Sequence, residues 1–394
     1  MNVTMNDLPL AGRRIGFLLE HPVTVGADVQ EQMAACRRLG AHVTACFLSG
    51  TPSEFPGHGS SADDLTGLNL PVEAISGHRI GAARRLRHLL RKRPLDTLVC
   101  DQYKAISTAA LATFFPHAEA PAIVALLRGY HAVSSPSRRR FYRLFGRHIR
   151  AFITLSAAQQ QQIRNLLTWF PPDRIHVVPV HLDLDRLAGA MLPANEARRQ
   201  LCLPGSAVLF GCISRLHPSK RVMDLVEATR LLRERGVEFH LVIIGGGKQE
   251  DALRKRIAEA DLDGTVRLTG RLESAHRYMP AFDAFILPSP CESFGRVFLE
   301  AHAAKTPIIA ADGAAAPEVA GPAALLFQPT NAADLADRML EFMAQGPEEQ
   351  LNAGQIGEEY ARRHFSQEAL DRHLQKALEK KGLLAESRDP GAHR

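Results

Sequence analysis

No apolar run in this 394-residue chain approaches the roughly 18 residues that a membrane-spanning helix requires. The opening stretch MNVTMNDLPL carries neither the basic nor the apolar region of a secretory leader, so the expected compartment is the cytoplasm. Cysteine is scarce and scattered. The six residues Cys36, Cys46, Cys100, Cys202, Cys212 and Cys291 form no Cys-x-x-Cys and no Cys/His spacing suited to a structural metal, and are expected as free thiols. Acid is missing from one long segment, with no Asp or Glu between Glu119 and Asp173.

What is present suits a folded globular protein, with 45% hydrophobic and 23% charged residues. The chain is too long for one ordinary core and suits two domains. Its formal charge of +6 is uneven: 22 Lys+Arg stand against 14 Asp+Glu through residue 190, and 26 against 28 beyond it. The basic excess lies in 77–94 and 128–150, and such a face attracts membrane lipid headgroups, an acidic substrate or nucleic acid. The stretch RRRFYRLFGRHIR interleaves aromatics with arginines, which suits an anionic membrane interface; a solvated helix is the alternative. No recognised nucleic-acid motif occurs, so a basic nucleic-acid-binding protein is the outlying reading and no nucleic-acid partner is expected.

Apolar strands alternate with helical stretches along the whole chain. In the first half, RRIGFLLE (13–20), HVTACFL (42–48), LDTLVC (95–100), AIVALL (122–127), AFITLS (151–156) and IHVVPV (175–180) read as strands. TPSEFPGHGSSADDLTG (51–67) reads as a surface loop. In the second half, AVLFGCI (207–213), FHLVII (239–244), TVRL (265–268), AFIL (284–287), PIIA (307–310) and AALLF (323–327) alternate with helices at 221–235, 248–260, 293–304 and 331–345. This rhythm predicts two α/β domains with doubly wound parallel sheets and a central cleft between them. The expected boundaries are 1–188 and 189–365, then a helix over 366–385 that crosses back to the first domain, and a tail at 386–394.

Ligands of such sheets bind at the carboxyl ends of the strands, so the loops that follow strands carry the candidates. In CISRLHPSKR, Arg215 and Lys220 leave a strand just ahead of a helix for which Ser219 is the expected N-cap, an arrangement suited to a diphosphate or to two solvated cations. IIGGGKQED brings Gly245 and Gly246 between a strand and a helix, either to let backbone approach a ligand or to make a tight turn. CESFGRVFLE places Glu292 after a strand and Glu300 on or beside a stripe formed by Phe294, Val297, Phe298, Ala301 and Ala304. A carboxylate there needs a partner, either ligand hydroxyls or a basic neighbour.

Taken in this order, the motifs make the second half resemble the nucleotide-binding domain of retaining glycosyltransferases of family 4. The resemblance runs over roughly residues 205 to 330 and includes LTGRL (268–272), FDAFILPSPCESFG and APEVA (316–320). It departs at Ser214, where the family has glycine, and at PVHLD (179–183). The resemblance implies the GT-B fold of two Rossmann-like domains. It also implies transfer of a hexose from a UDP- or GDP-linked sugar to a hydroxyl of a glycan or lipid-linked acceptor, with retention at the anomeric carbon. The implied setting is cell-envelope polysaccharide or lipopolysaccharide synthesis, with the enzyme peripheral on the inner face of the cytoplasmic membrane. Arg215 and Lys220 would hold the pyrophosphate, Glu300 the ribose and Glu292 the sugar hydroxyls, with Ser293 and the amides of Phe294 and Gly295 beside sugar and phosphate. His131 would lie near the reaction centre and Gly26 in a glycine turn of the first domain. No enzymic nucleophile, cofactor or metal is called for. A nucleotide-sugar epimerase using the same pocket without an acceptor is the alternative within this fold.

Overall fold

Parallel strands cannot be joined by hairpins, so each apolar run of this chain must be followed by a crossover before the next can pair with its neighbours. A computed structural model of the chain describes residues 8–21, 27–49, 72–74, 79–114, 120–129, 131–202 and 207–379. It divides into two units, Met1–His181 with Gln367–Arg394, and Leu182–Ser366. The change of unit thus falls seven residues ahead of the expected position at 188, and the helix Leu184–Ala190 belongs to the second unit.

The first unit holds a seven-stranded parallel sheet among its described residues, ordered β3-β2-β1-β4-β5-β6-β7. The strands are β1 (Arg14–Leu19), β2 (His42–Phe47), β3 (Val72–Ala74), β4 (Thr97–Asp101), β5 (Ala122–Leu127), β6 (Ile149–Thr154) and β7 (Ile175–Val177). Its helices are α1 (Ala27–Arg38), α2 (Arg79–Lys92), α3 (Gln102–Thr113), α4 (His131–Ser134), α5 (Pro136–Phe145) and α6 (Ala157–Leu166). AIVALL is β5 to the residue, whereas the strand expected at 151–156 lies two residues earlier. Ser156 is withdrawn from it because its side chain caps α6, accepting from the Gln159 amide at 3.2 Å. The loop expected at 51–67 lies outside the described residues.

The second unit holds a six-stranded parallel sheet ordered β10-β9-β8-β11-β12-β13 among its described residues. Its strands are β8 (Leu209–Ile213), β9 (His240–Ile244), β10 (Val266–Gly270), β11 (Ala284–Leu287), β12 (Ile308–Ala311) and β13 (Leu325–Phe327). The helices are α7 (Leu184–Ala190), α8 (Ala194–Gln200), α9 (Val222–Glu234), α10 (Glu250–Glu259), α11 (Arg296–Ala303), α12 (Ala316–Ala320), α13 (Ala332–Ala344) and α14 (Pro347–Phe365). The last helix, α15 (Gln367–Glu379), packs in the first unit against α1 and β7. Arg38 fastens it through Asp371 at 3.0 Å, and Leu370, Leu374 and Ala377 are buried beneath it.

The 19-residue α14 escapes a periodicity reading because two of its inward positions are glycines. A Cβ on Gly354 would lie 2.0 Å from the Lys305 carbonyl oxygen, and one on Gly357 would lie 2.6 Å from His302 Nδ1. The helix therefore packs by backbone proximity to α11 and its trailing turn rather than by large apolar side chains.

In an open helix Gly→Ala would stabilise by about 0.8–1 kcal/mol. Against the Lys305 carbonyl the sign reverses, since overpacking of this kind costs about 1–3 kcal/mol. Gly354→Ala should therefore lower the denaturant midpoint; an unchanged or raised midpoint would contradict this packing.

Candidate functional site

In a doubly wound sheet the crevice lies where successive strands depart in opposite directions. In the second unit that point is between β8 and β11, since β9 and β10 lie to one side and β12 and β13 to the other. The loops after β8 and β11 are consequently neighbours although they are far apart in sequence. Lys220 Nζ donates to Glu292 Oε1, and their side chains are only 17% and 11% exposed. Ser289 Oγ donates to the Ser219 carbonyl at 3.5 Å, and the Ala315 amide donates to the Glu292 carbonyl at 3.1 Å. Three strand-end loops are thereby tied together around Glu292. Arg215 lies exposed on the first of them, with no described partner for its guanidinium.

Ser219 does not cap the following helix. It lies in a 3-10 turn, Pro218–Lys220, whose cap is His217: its Nδ1 accepts from the Ser219 amide at 3.3 Å. Helix α9 starts after Arg221, a left-handed residue with φ of 55°, whose Nε pairs with Asp224 at 2.8 Å.

The glycine run after β9 is explained first by the loop beside it. A Cβ on Gly245 would lie 1.8 Å from the Ser214 carbonyl oxygen, and one on Gly247 would lie 2.4 Å from that of Leu216. The Leu216 amide donates to the Gly246 carbonyl at 3.0 Å, so the run holds Arg215 in its place by backbone packing. Gly246 itself has room, with Arg271 Cβ nearest at 3.5 Å from an added Cβ.

Gly295 turns the chain into α11 with φ of 86°. Phe294 points into the core, edge-on to Phe365 at 5.4 Å, leaving its backbone and that of Ser293 at the mouth of the helix. The expected stripe on α11 is corrected here. Phe298, Leu299, Ala301, His302 and Ala303 are buried, while Val297, Glu300 and Ala304 form a partly open strip. The helix is packed on more than one side, and the carboxylate three residues after Val297 is left half-buried. Burial still pushes the Glu300 carboxyl above its ordinary value, opposed by the charge of Arg296. No described hydrogen bond or ion pair engages it. Of the two glutamates, Glu292 is held and Glu300 is left open.

In the first unit the corresponding point lies between β1 and β4, and a cavity of about 670 Å³ opens there. Arg128, just past β5, donates to both oxygens of Asp101 at 3.0 and 2.9 Å and to Asp28 at 3.2 Å. Gln102 beside it has φ of 65°, a conformation that a side-chain-bearing residue rarely adopts. Lys104 pairs with Glu20 at 2.8 Å, and the Arg138 guanidinium lies 4.5 Å over the Tyr103 ring. In the sequence Arg128 and Arg138 stand out only as members of the basic segment 128–150, and the others not at all. The available signal was positional, since Glu20, Asp101 and Arg128 each end or directly follow an apolar strand. His131 begins α4 just after this loop, and its side chain is outside the described set; Gly26 lies outside the described residues.

Comparison with known proteins gives the lineage of both units. The family described as glycosyl transferases group 1 matches residues 194–386, and the glycosyl transferase 4-like domain matches residues 24–181. A GDP-mannose-dependent monoacylated alpha-(1-6)-phosphatidylinositol monomannoside mannosyltransferase of Corynebacterium glutamicum is 25% identical over 75% of this chain and 80% of its own length. A D-inositol 3-phosphate glycosyltransferase of Kineococcus radiotolerans is 37% identical over 36% of this chain and 34% of its own. A putative glycosyltransferase EpsF of Bacillus subtilis is likewise matched over only 36% of its length. Among solved structures, Anabaena Alr3699/HepE in complex with UDP superposes with a TM-score of 0.74 at 19% identity, over 93% of this chain and 99% of that one. The lipopolysaccharide outer core galactosyltransferase WaaB superposes with a TM-score of 0.69 at 16% identity, over 93% and 99%.

Burial pushes the Asp101 carboxyl up to about 6, with Arg128 opposing and Asp28 and Glu20 adding to the rise. An unfolded aspartate titrates near about 3.9. The folded chain therefore holds an extra proton between these values, and the stability it confers is complete below about 4 and lost as pH rises through about 6. Denaturation of wild type and Asp101→Asn across that window should show wild type relatively favoured at the acidic end. A difference that does not vary with pH would refute the assignment.

Proposed function

We propose that this chain, which belongs to the glycosyltransferases of family 4 and has their GT-B fold, transfers a hexose from a nucleoside-diphosphate sugar to a hydroxyl of a glycan or lipid-linked acceptor, with retention at the anomeric carbon. The observation that carries the reading is the contrast within CESFGRVFLE: Glu292 is held by Lys220 at the junction of three strand-end loops, while Glu300 is half-buried with no described hydrogen bond or ion pair at its carboxylate. Hydroxyls of a ribose would give Glu300 the hydrogen bonds it lacks. Arg215 and Lys220 would flank a pyrophosphate, whose β-phosphate gains negative charge as the sugar leaves, and their cations would stabilise that charge in the transition state. Lys220 would have to share its ammonium between Glu292 and the leaving phosphate. Glu292 would accept from hydroxyls of the sugar, with Ser293 and the backbone at Phe294 and Gly295 alongside; Gly246 leaves room for close approach.

In this mechanism the acceptor oxygen bonds the anomeric carbon as the bond from that carbon to the phosphate breaks, and an oxygen of the leaving phosphate takes the hydroxyl proton, so no side chain acts as nucleophile. Because Arg215 and Lys220 would neutralise the pyrophosphate, no metal is called for. The Corynebacterium relative is named for GDP-mannose and the Anabaena structure contains UDP, and the donor is taken to be one of these two classes. The acceptor would enter by the first unit, where the cavity at β1 and β4 and the turn into His131 lie.

The same unit suggests where a lipid-linked acceptor is met. Helices α2 and α5 both pack against α3, and Ile80 on α2 and Leu144 on α5 are 63% and 59% exposed. Both helices are rich in arginine and free of acid, so a peripheral position on an anionic membrane, at its cytoplasmic face, is part of the proposal.

Calorimetry against UDP, GDP and their sugars is the direct test. Glu300→Ala should weaken nucleotide binding by about tenfold or more, the scale of a lost charge-assisted pair. Glu292→Ala should bind nucleotide but lose most turnover, and turnover of the wild type should survive EDTA with the donor's anomeric configuration kept in the product. Variants indistinguishable from wild type would defeat the donor site; labelled donor converted without any acceptor would favour the epimerase. In flotation assays the wild type should rise with vesicles containing anionic lipid, and Ile80→Glu with Leu144→Glu should abolish this. Absence of flotation with anionic vesicles would remove the membrane from the proposal, and equal flotation on neutral vesicles would remove the role given to the arginines.

A further inference from the structure

A second concentration of positive charge lies in the first unit, away from its strand-end cavity. Helix α15 lies along the edge strand β7, and between them and α6 is a cavity of about 280 Å³. Gln160 and Arg164, one turn apart on α6, form one wall, and His373 and Lys376, one turn apart on α15, form the opposite one. His176 of β7 forms the floor, and Asp173 is the sole acidic residue of the lining.

The wall is incompletely satisfied. Arg164 donates through Nη2 to the Pro172 carbonyl at 3.2 Å, but its buried Nε has no partner. The buried Nδ1 of His373 is likewise without one. No described ion pair engages Arg164 or Lys376, although Asp173 shares the cavity with them. Protonation of His373 is disfavoured first by burial and then by the charges of Arg372 and Lys376. Cationic side chains that outnumber the acid around an open cavity are the condition under which an anion is attracted.

The geometry points to an anion seat for a small phosphate-bearing ligand in this cavity, joining α15 to α6 and the edge of β7. A guanidinium from α6, an imidazole from β7 and an imidazole and an ammonium from α15 line it from three elements, which matches an acceptor with oxygens in several directions better than a planar carboxylate. Because α15 follows directly on the last residue of the second unit, Ser366, occupancy would fix the point at which the chain returns to the first unit. The seat is independent of the donor loops, whose cations belong to the other unit.

Hydrogen exchange of residues 367–379 in the full chain, with inorganic phosphate or pyrophosphate and chloride at matched ionic strength as control, tests the seat. Phosphate should slow exchange in α15 in the wild type and equally in Arg215→Ala. Arg164→Gln and Lys376→Gln should each weaken the effect about tenfold in phosphate concentration. Lys376 is exposed, so its variant should fold normally and keeps the test valid if Arg164→Gln does not. Absence of protection in the wild type, equal protection in Lys376→Gln, or its loss in Arg215→Ala would each overturn the proposal. Stronger protection by pyrophosphate would identify a diphosphate as the better occupant of the same seat.

Discussion

Parallel pairing is the constraint from which the rest of this molecule follows. Every strand must be left by a crossover, so all strands of a sheet end on the same edge, and every loop that follows a strand opens there. Where the winding changes direction, between β1 and β4 and between β8 and β11, no crossover covers the gap. Both sheets concentrate their polar side chains at that gap, although the residues involved come from segments tens of residues apart.

The charges at the two gaps are arranged differently. In the first unit Arg128 is surrounded by Asp28 and Asp101, so the guanidinium is neutralised and one carboxyl is left easy to protonate. In the second, Lys220 pairs with Glu292, and Glu300 and Arg215 remain without described partners. A buried ion pair adds little to stability once desolvation is counted, but breaking it leaves an uncompensated charge. Such pairs therefore hold loops in register more than they hold the fold together. The groups left over are those with hydrogen-bonding capacity to give to a ligand.

Much of the sheet was legible in the sequence because buried parallel strands are continuous apolar runs with turn residues at both ends. AIVALL and AFIL match β5 and β11 to the residue. The sequence was less informative where structure is set by contact rather than by pattern. The glycines of α14 resemble helix breakers until the Lys305 carbonyl and His302 are seen against them. Ser219 has the chemistry of a helix cap, but His217 turns the loop first and the helix begins later. Glu300 sits in a stripe of apolar spacing, yet a helix of eight residues packed on more than one side buries a broad arc and leaves only Val297, Glu300 and Ala304 partly open. Among the candidate residues, Arg215, Lys220 and Glu292 are legible because they follow strands; Asp101 and Arg128 satisfy the same positional rule, but a lone charge after a strand is common and does not by itself mark a site.

The sequence by itself determined the alternation of strands and helices, the basic bias of the first half and the loops on which charged residues would stand. These are properties of neighbouring residues, written in local spacing and composition. Only the tertiary structure decided which charges meet. Lys220 and Glu292 are 72 positions apart and Arg128 and Asp28 are 100 apart, and whether such groups pair depends on strand order, which no local pattern encodes. That pairing leaves Glu292 engaged and Glu300 open, since an ion pair forms only where two side chains are brought within a few ångströms by elements remote from both.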